Sequence, residues 1–528
     1  MMKVGVIGIA ILACTGLVCA GCALHAVNPQ PAPLFDVPAI YSAIVEEGSA
    51  RSVAPWWEVF DDPRLNELDD TALAQNFTLL EGLSRIERAG ALLRQARAVR
   101  LPQVDFSGGL ERSWRRDVGS RDGGDTDVLG AATDAFDAAS GLLEAINDPS
   151  SAGVVGPGFL QEDALPDRDT YDTAFNSGVA LTWEADLWGR LRAAQAAQSE
   201  EMSAFIHEYA ALRLMLSAQI AETYFQIIEQ QLQFDLLAEQ RKLAETLLEL
   251  LELRFLQGDA SAVDLLQQRG QLAEIQSEVP TVLAQLGVLE NRLDVLLGSS
   301  PDGQPRLEAL ERGLPEKTAL PEIGVPLTLL QQRPDLQAQQ RRIVAADYDI
   351  ASAMAERLPQ LTLDGSFGFN DDGGGFFVTG LVSAAVFQPL LDWGLRKAAV
   401  EVADTFFEEA LLDFSQTYLL AMEEVESTLW QEKHQRDLIE ALAAHEEILF
   451  RTVEEARVRY SLGVTDYLPV LTALQNLQDV QRQLLAERRR LVDLRIQLHR
   501  AVGGATTAAT APVEQMAETA TELVPAAG

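Results

Sequence analysis

The stretch AMAERLPQLTLDGSFGFN, residues 353–370, holds a change of period. Its first part closes a helix at Pro359, because proline lacks an amide hydrogen and its ring clashes with the preceding turn. From Leu361 onward Leu361, Leu363, Gly365, Phe367 and Phe369 alternate with Thr362, Asp364, Ser366, Gly368 and Asn370. Period two with unlike faces is the pattern of a strand. Asp371 to Gly375 is a turn signal, and a second alternating run follows to Phe387.

The same junction occurs earlier in the chain. Ala96, Ala98 and Arg100-Leu101-Pro102-Gln103 precede Ala353, Ala355 and Arg357-Leu358-Pro359-Gln360 by 257 residues. Trp188-Gly189 recurs as Trp393-Gly394 at an offset of 205, as do Arg254 with Arg459, Gly258 with Gly463, and Gly298 with Gly503. The chain is therefore duplicated, and the difference between the two offsets leaves 52 extra residues between Gln103 and Trp188 in the first copy.

Each copy follows one plan. A helix of about 35 residues, Arg64 to Leu101 or Leu327 to Leu358, leads into two strands of about ten residues. In the first copy the return strand sets Phe175, Val179, Leu181 and Trp183 against Asn176, Gly178, Ala180 and Thr182. A proline-free helix then runs from about Arg190 to Leu256, or from Leu395 to Leu462. Phe205, Tyr209, Leu212, Leu216, Ile220, Tyr224 and Ile227 form its apolar stripe. At 1.5 Å per residue each long helix spans about 100 Å. Gly258 and Gly463 mark tight reversals, and a shorter helix returns to Gly298 or Gly503. The division expected is a first repeat at 64–298, a linker at 299–326 and a second repeat at 327–503, with a disordered Ala/Thr-rich tail at 504–528.

Composition narrows the function. Of 528 residues, 41 are basic and 79 acidic, a net charge of −38 that repels phosphate backbones and argues against nucleic-acid binding. The three cysteines are Cys14, Cys19 and Cys22, so the body of the chain holds no disulfide, cysteine cluster or cysteine nucleophile. Lys3, an apolar run from Val4 to Ala20 and then Gly21-Cys22 read as an export signal, residues 1–21. A thiol directly after Ala20-Gly21 resembles the bacterial lipobox, with Cys19 standing where that motif has leucine. Cys22 is then the acylated first residue of a lipid-anchored segment, 22–63, and that lipid is the only covalent group expected. Beyond the signal no uncharged apolar run reaches the length of a membrane helix.

Strands of about ten residues are long enough to cross a bilayer at a tilt. Four per chain cannot close a barrel, and an open edge in lipid is forbidden. Two chains give eight strands with a side-chain-filled interior; three give twelve, enough for a conduit. The expected fold is mainly α with a membrane β-barrel, a trimer placing a 12-stranded barrel in the outer membrane on a periplasmic α-helical barrel. Trp183, Trp188, Phe387 and Trp393 lie where strands become helices, the place of an interfacial aromatic belt, or else of plain packing at the joint.

These residues resemble the TolC-type outer-membrane efflux family, in the lipoprotein branch typified by OprM. The matching segments are Trp56-Trp57-Glu58-Val59-Phe60-Asp61-Asp62-Pro63, Ala72-Leu73 with Asn76, and Gln332-Arg333-Pro334-Asp335-Leu336. Phe387-Gln388-Pro389 through Asp392-Trp393-Gly394 and Arg459-Tyr460 with Gly463 complete the set. The resemblance implies a homotrimeric passive conduit in outer-membrane lipid, served by a periplasmic adaptor and an inner-membrane RND-type pump. It implies export of small molecules such as drugs, toxic compounds or metal ions.

The same resemblance puts closure of the tunnel at the second reversal, Arg459 to Tyr467. Three Asp466 carboxylates near an axis would make a cation-favouring constriction, or Asp466 caps the following helix. Leu462 is the candidate plug and Tyr460 the candidate tether. Where some members carry acidic gate residues this chain has Pro469 and Thr472. Gly258, Asp259 and Gly463 are the candidate adaptor-docking tips.

No catalytic or metal constellation accompanies this plan. His207, His434, His445 and His499 lack a second histidine at metal-binding spacing, and His445-Glu446-Glu447 lacks the later histidine of a zinc helix. The Asp/Gly-rich excess, residues 114–169, lies in the first hairpin, outside the cell. Two other readings are an outlet for type I protein secretion and a helical structural lipoprotein without a channel. Strands of bilayer length argue against the latter.

Overall fold

The computed structural model describes residues 25–42, 55–116, 169–305, 313–315, 320–321, 323–371 and 375–504. Cys22, the export signal, residues 117–168 of the first hairpin and the tail from 505 lie outside the described residues. The chain divides into two compact units. One carries the described helices; the other, residues 102–183 and 362–385, carries most of the strands.

The helical unit begins with a 3₁₀ turn at Trp56–Phe60, followed by α1 (Pro63–Gln75) and α2 (Phe77–Ala98). Asp62 caps α1, accepting from the amides of Arg64 and Leu65, with Pro63 in the first helical position, where a missing amide costs nothing. The long helix α3 (Arg190–Gln257, 68 residues) and the returning α4 (Ala262–Leu296) complete the first repeat. The second repeat supplies α5 (Leu329–Gln332), α6 (Pro334–Glu356), α7 (Leu395–Ser461, 67 residues) and α8 (Leu468–Ala501). Helix α3 packs against α1, α2 and α4 of its own repeat and against α6 and α8 of the other; α7 packs against α6 and α8.

The single opening helices of about 35 residues do not form. Each breaks at one residue, Asn76 and Arg333, which are 257 apart and both extended (φ −66°, ψ 126° and φ −85°, ψ 116°). At Arg333 the cause is Pro334, whose ring excludes the helical conformation from the residue before it. At Asn76 the side chain caps α2, accepting from the amides of Thr78 and Leu79. Each break also reaches the end of its repeat: Asn76 Nδ2 donates to the Leu296 carbonyl at 2.9 Å and Arg333 Nη1 to the Ala501 carbonyl at 3.2 Å. Leu296 and Ala501 are 205 apart, so the duplication preserves the contact.

The largest core surrounds α3, with Leu65, Leu79, Ile86, Ile220, Tyr224, Phe225 and Ile228 buried together with Ile496. Trp56 joins it, its indole donating to Ser217 Oγ at 3.0 Å and its ring stacking on His499. A second core joins Leu336, Ile343, Phe414, Tyr418, Val425 and Leu498. The segment 25–42 lies on this second repeat, where Asp347 pairs with His25 and accepts from the Asn28 amide, and Phe35 packs on Tyr418.

The strand unit is a four-stranded sheet in the order β1 (Gln103–Arg116), β2 (Asp169–Ala185), β3 (Gln360–Asp371), β4 (Phe376–Phe387). At 12 to 17 residues the strands are longer than the ten expected. β1 and β2 pair antiparallel with Val104 opposite Leu181, Phe106 opposite Val179 and Leu110 opposite Phe175. Apolar side chains thus meet on one face, while Gln103 faces Thr182 and Asp105 faces Ala180 on the other. Gly178 and Gly368 bring β2 and β3 close: a Cβ on Gly178 would lie 3.0 Å from the Phe367 carbonyl oxygen.

Candidate functional site

The two helix reversals lie in the helical unit, and each is closed by the same pair of backbone bonds. The Gly258 amide donates to Phe255 and the Asp259 amide to Arg254; the Gly463 amide donates to Tyr460 and the Val464 amide to Arg459. These are the bonds of a Schellman ending, which requires a left-handed residue, supplied by Gly258 at φ 81° and Gly463 at φ 71°.

Beyond the glycines the two turns differ. In the first, Ser261 and Asp264 form a reciprocal capping box for α4. In the second, the N-cap of α8 is Tyr467, in the helical region and without a side-chain cap, so exposed Asp466 does not cap that helix. Leu462 is 72% exposed beside Gly463.

Tyr460 reaches across to the first repeat. The Arg254 guanidinium lies 4.7 Å above its ring centroid, a cation–π contact, while the Tyr467 ring meets it at 5.4 Å. Tyr467 is buried and donates its hydroxyl to Gln268 Oε1 at 2.6 Å; burial pushes its pKa upward. Above it, Gln475 donates to Gln271, and Gln271 to Gln478 at 3.0 Å, joining α4 to α8 through neutral side chains. Arg482 of α8 pairs with Glu278 of α4 at 3.2 Å. Nothing in the local sequence signalled Tyr467 or the glutamines, since their partners lie about 200 residues away. Arg254 was visible only as one of a duplicated pair.

The four junction aromatics have different surroundings. Trp188 donates its indole N–H to the Pro359 carbonyl at 2.7 Å. Trp183 is half-buried in β2, Phe387 ends β4 exposed, and Trp393 is 90% exposed with a left-handed backbone, φ 55°. Among the described residues no group of three His, Cys, Asp or Glu side chains is placed to hold a metal ion, and no helix is long and apolar enough to cross a membrane.

The duplicated architecture matches known proteins. The pyoverdine export outer membrane protein OpmQ of Pseudomonas putida is 27% identical over 85% of this chain and 87% of its own length. The cation efflux system protein CusC of Escherichia coli is 24% identical over 93% of this chain and 97% of its own. Among solved structures, the outer-membrane channel OprN superposes with a TM-score of 0.76 at 23% identity, covering 92% of this chain and 99% of that one. The Campylobacter jejuni CmeC outer membrane channel gives 0.75 at 22% identity, covering 94% and 98%. Residues 68–299 and 325–504 match the family described as outer membrane efflux protein, and the chain belongs to that family.

Proposed function

We propose that this outer-membrane efflux channel works as a homotrimer, a 12-stranded barrel continued by a periplasmic helical tunnel, and passively exports small molecules. The observation that carries the reading is the open sheet of the strand unit. β1 and β4 are its edges, and Val104, Phe106, Leu110, Phe175, Val179 and Leu181 leave its apolar face exposed in the single chain. In lipid, edges must close and such a face is at home. Three chains supply twelve strands, the smallest closed number here that leaves a channel.

An adaptor docks at the tips around Gly258, Asp259 and Gly463, and delivers substrate from an inner-membrane RND-type pump. Asp466, Leu462 and Tyr460 hold the closed end, and Trp183, Trp188, Phe387 and Trp393 form the interfacial belt. Cys22 carries the lipid. Family resemblance supports these assignments, and relatives named for pyoverdine, toluene and cation export support a small-molecule substrate.

The detergent-extracted protein should have the mass of three chains by light scattering and form channels in planar bilayers. A monomer released without detergent would overturn the reading. Cys22→Ser should abolish palmitate labelling, and retained labelling would remove the lipid anchor.

A further inference from the structure

Three helices of the helical unit carry an added segment on one side. On α3, Ser217 accepts from the Trp56 indole and Tyr224 donates to Asp62 at 2.7 Å. On α6, Asp347 holds His25 and the Asn28 amide; on α7, Ser415 accepts from the Leu34 amide at 3.1 Å. Nine residues from these anchors, Glu208 and Met215 on α3, Ala338 on α6 and Glu424 on α7 line a single cavity of about 460 Å³. Nine residues are two and a half turns, so the cavity opens on the side of these helices opposite α1 and the segment 25–42.

Its floor is apolar, made by Ala211, Leu212, Met215, Pro334 and Ala338. Its charged side chains are Arg85, Arg333, Arg342 and Arg500 against Glu208, Asp335 and Glu424. Four positive groups to three negative reverse the balance of a chain with 41 basic and 79 acidic residues. The arginines differ in freedom. Arg333 is locked by Asp335 and Glu424, and Arg500 donates to Glu424 at 2.6 Å. Arg342 pairs with Glu208, while Arg85, on α2, is exposed and pairs with Glu81 one turn away at 2.6 Å. A surface pair of that kind contributes little in water, so the Arg85 guanidinium can exchange Glu81 for another anion.

We propose that this cavity is a binding station for amphipathic organic anions, taking a carboxylate or sulfonate at Arg85 and Arg342 and the apolar body of the ligand on Leu212 and Met215. Guanidinium groups bind such oxyanions through short, charge-assisted hydrogen bonds, and the volume is that of a small-molecule site. In a tunnel walled by one layer of helices, the side clear of α1 and the segment 25–42 is the one that can line the bore. The inference rests on the homotrimeric-conduit reading and adds a substrate class to it. A chain of net charge −38 repels anions, and the arginines give them a local foothold, repeated three times around the bore.

The test uses the full chain in detergent and the photoreactive anion 4-benzoylbenzoate, beside a benzophenone carrying an ammonium group in place of the carboxylate. Peptide mass spectrometry should find the anion saturably attached within residues 208–215, where Met215 is 42% exposed. The cation should label that stretch far less. Arg85→Gln/Arg342→Gln should raise the half-saturating concentration of the anion roughly tenfold or more. Arg85→Gln alone breaks a surface pair, keeps the test independent of folding, and should raise it severalfold. Absent or equal labelling by the two probes, or saturation unchanged in both variants, would overturn the station; with a three-chain mass the conduit reading would still stand. A one-chain mass would overturn conduit and station together.

Discussion

The Gln332 carbonyl oxygen occupies the space beside Gly503: a Cβ built there would lie 2.3 Å from it. The Gln75 carbonyl stands in the same relation to Gly298, at 2.5 Å. Both glycines end the last helix of a repeat in the left-handed region, at φ 93° and 76°. Both carbonyls belong to the residue before a helix break, so break and ending are fitted to one another.

Gly503→Ala must therefore strain the backbone and displace a carbonyl, costing roughly 3–5 kcal/mol. Gly463→Ala meets nothing within 4 Å and should cost only about 1–2 kcal/mol for its positive φ. Thermal unfolding followed by helical circular dichroism separates the two. Equal losses would mean that the close approach to Gln332 is unimportant.

Arg333 is nearly buried. Besides the Ala501 carbonyl it holds Asp335 through two nitrogens, at 2.7 and 3.1 Å, and Glu424 at 2.8 Å. A lysine keeps the charge but not the fork, so Arg333→Lys should cost about 1–3 kcal/mol. Asn76→Ala removes a cap and the bond to Leu296 and should cost about 1–2 kcal/mol. The two changes act at separate sites, so the double variant should show additive losses in melting temperature.

The long helices and their reversals were legible because a 3.6-residue stripe ends at a glycine in both copies, and each copy checks the other. The breaks at Asn76 and Arg333 were not, because the heptad-like spacing of apolar residues runs through them. Pro334 was a visible signal that its predecessor would be extended; Asn76 had none stronger than being a good cap. At the tips the turn residues could be read from Gly258 and Gly463, but the Arg254–Tyr460 contact needs the two repeats side by side. Asp466 is by residue type as suitable for a cap as for a charged ring, but Tyr467 holds the N-cap position of α8.

Asp69 on α1 is 0% exposed, and neither carboxylate oxygen has a hydrogen-bond partner. Burial, reinforced by the Asp70 charge and opposed by Arg213, pushes its pKa up to about 8 from 3.8. The folded chain thus holds a proton that the unfolded chain releases near pH 4. Stability from this group is fully present below pH 4 and is lost as pH rises towards 8, by about 5 kcal/mol at the upper end. Asp69→Asn should flatten that fall, raising the melting temperature at pH 8 far more than at pH 4. An equal shift at both pH values would show that Asp69 is not protonated in the fold.

Asp466 separates a gate from a structural turn. Its carboxylate is exposed and does not cap α8, which starts at Tyr467 without a side-chain cap. Asp466→Ala should therefore leave stability within about 0.5 kcal/mol. In a homotrimer, however, the change removes three negative charges from one ring. A narrow ring of carboxylates attracts cations and excludes anions in proportion to how closely the charges face each other. The variant should thus show a weaker cation preference, read as a reversal potential moved towards zero under a salt gradient in planar bilayers. An unchanged reversal potential with a lowered melting temperature would place Asp466 in the scaffold of the turn and leave the constriction to Leu462 and Tyr460.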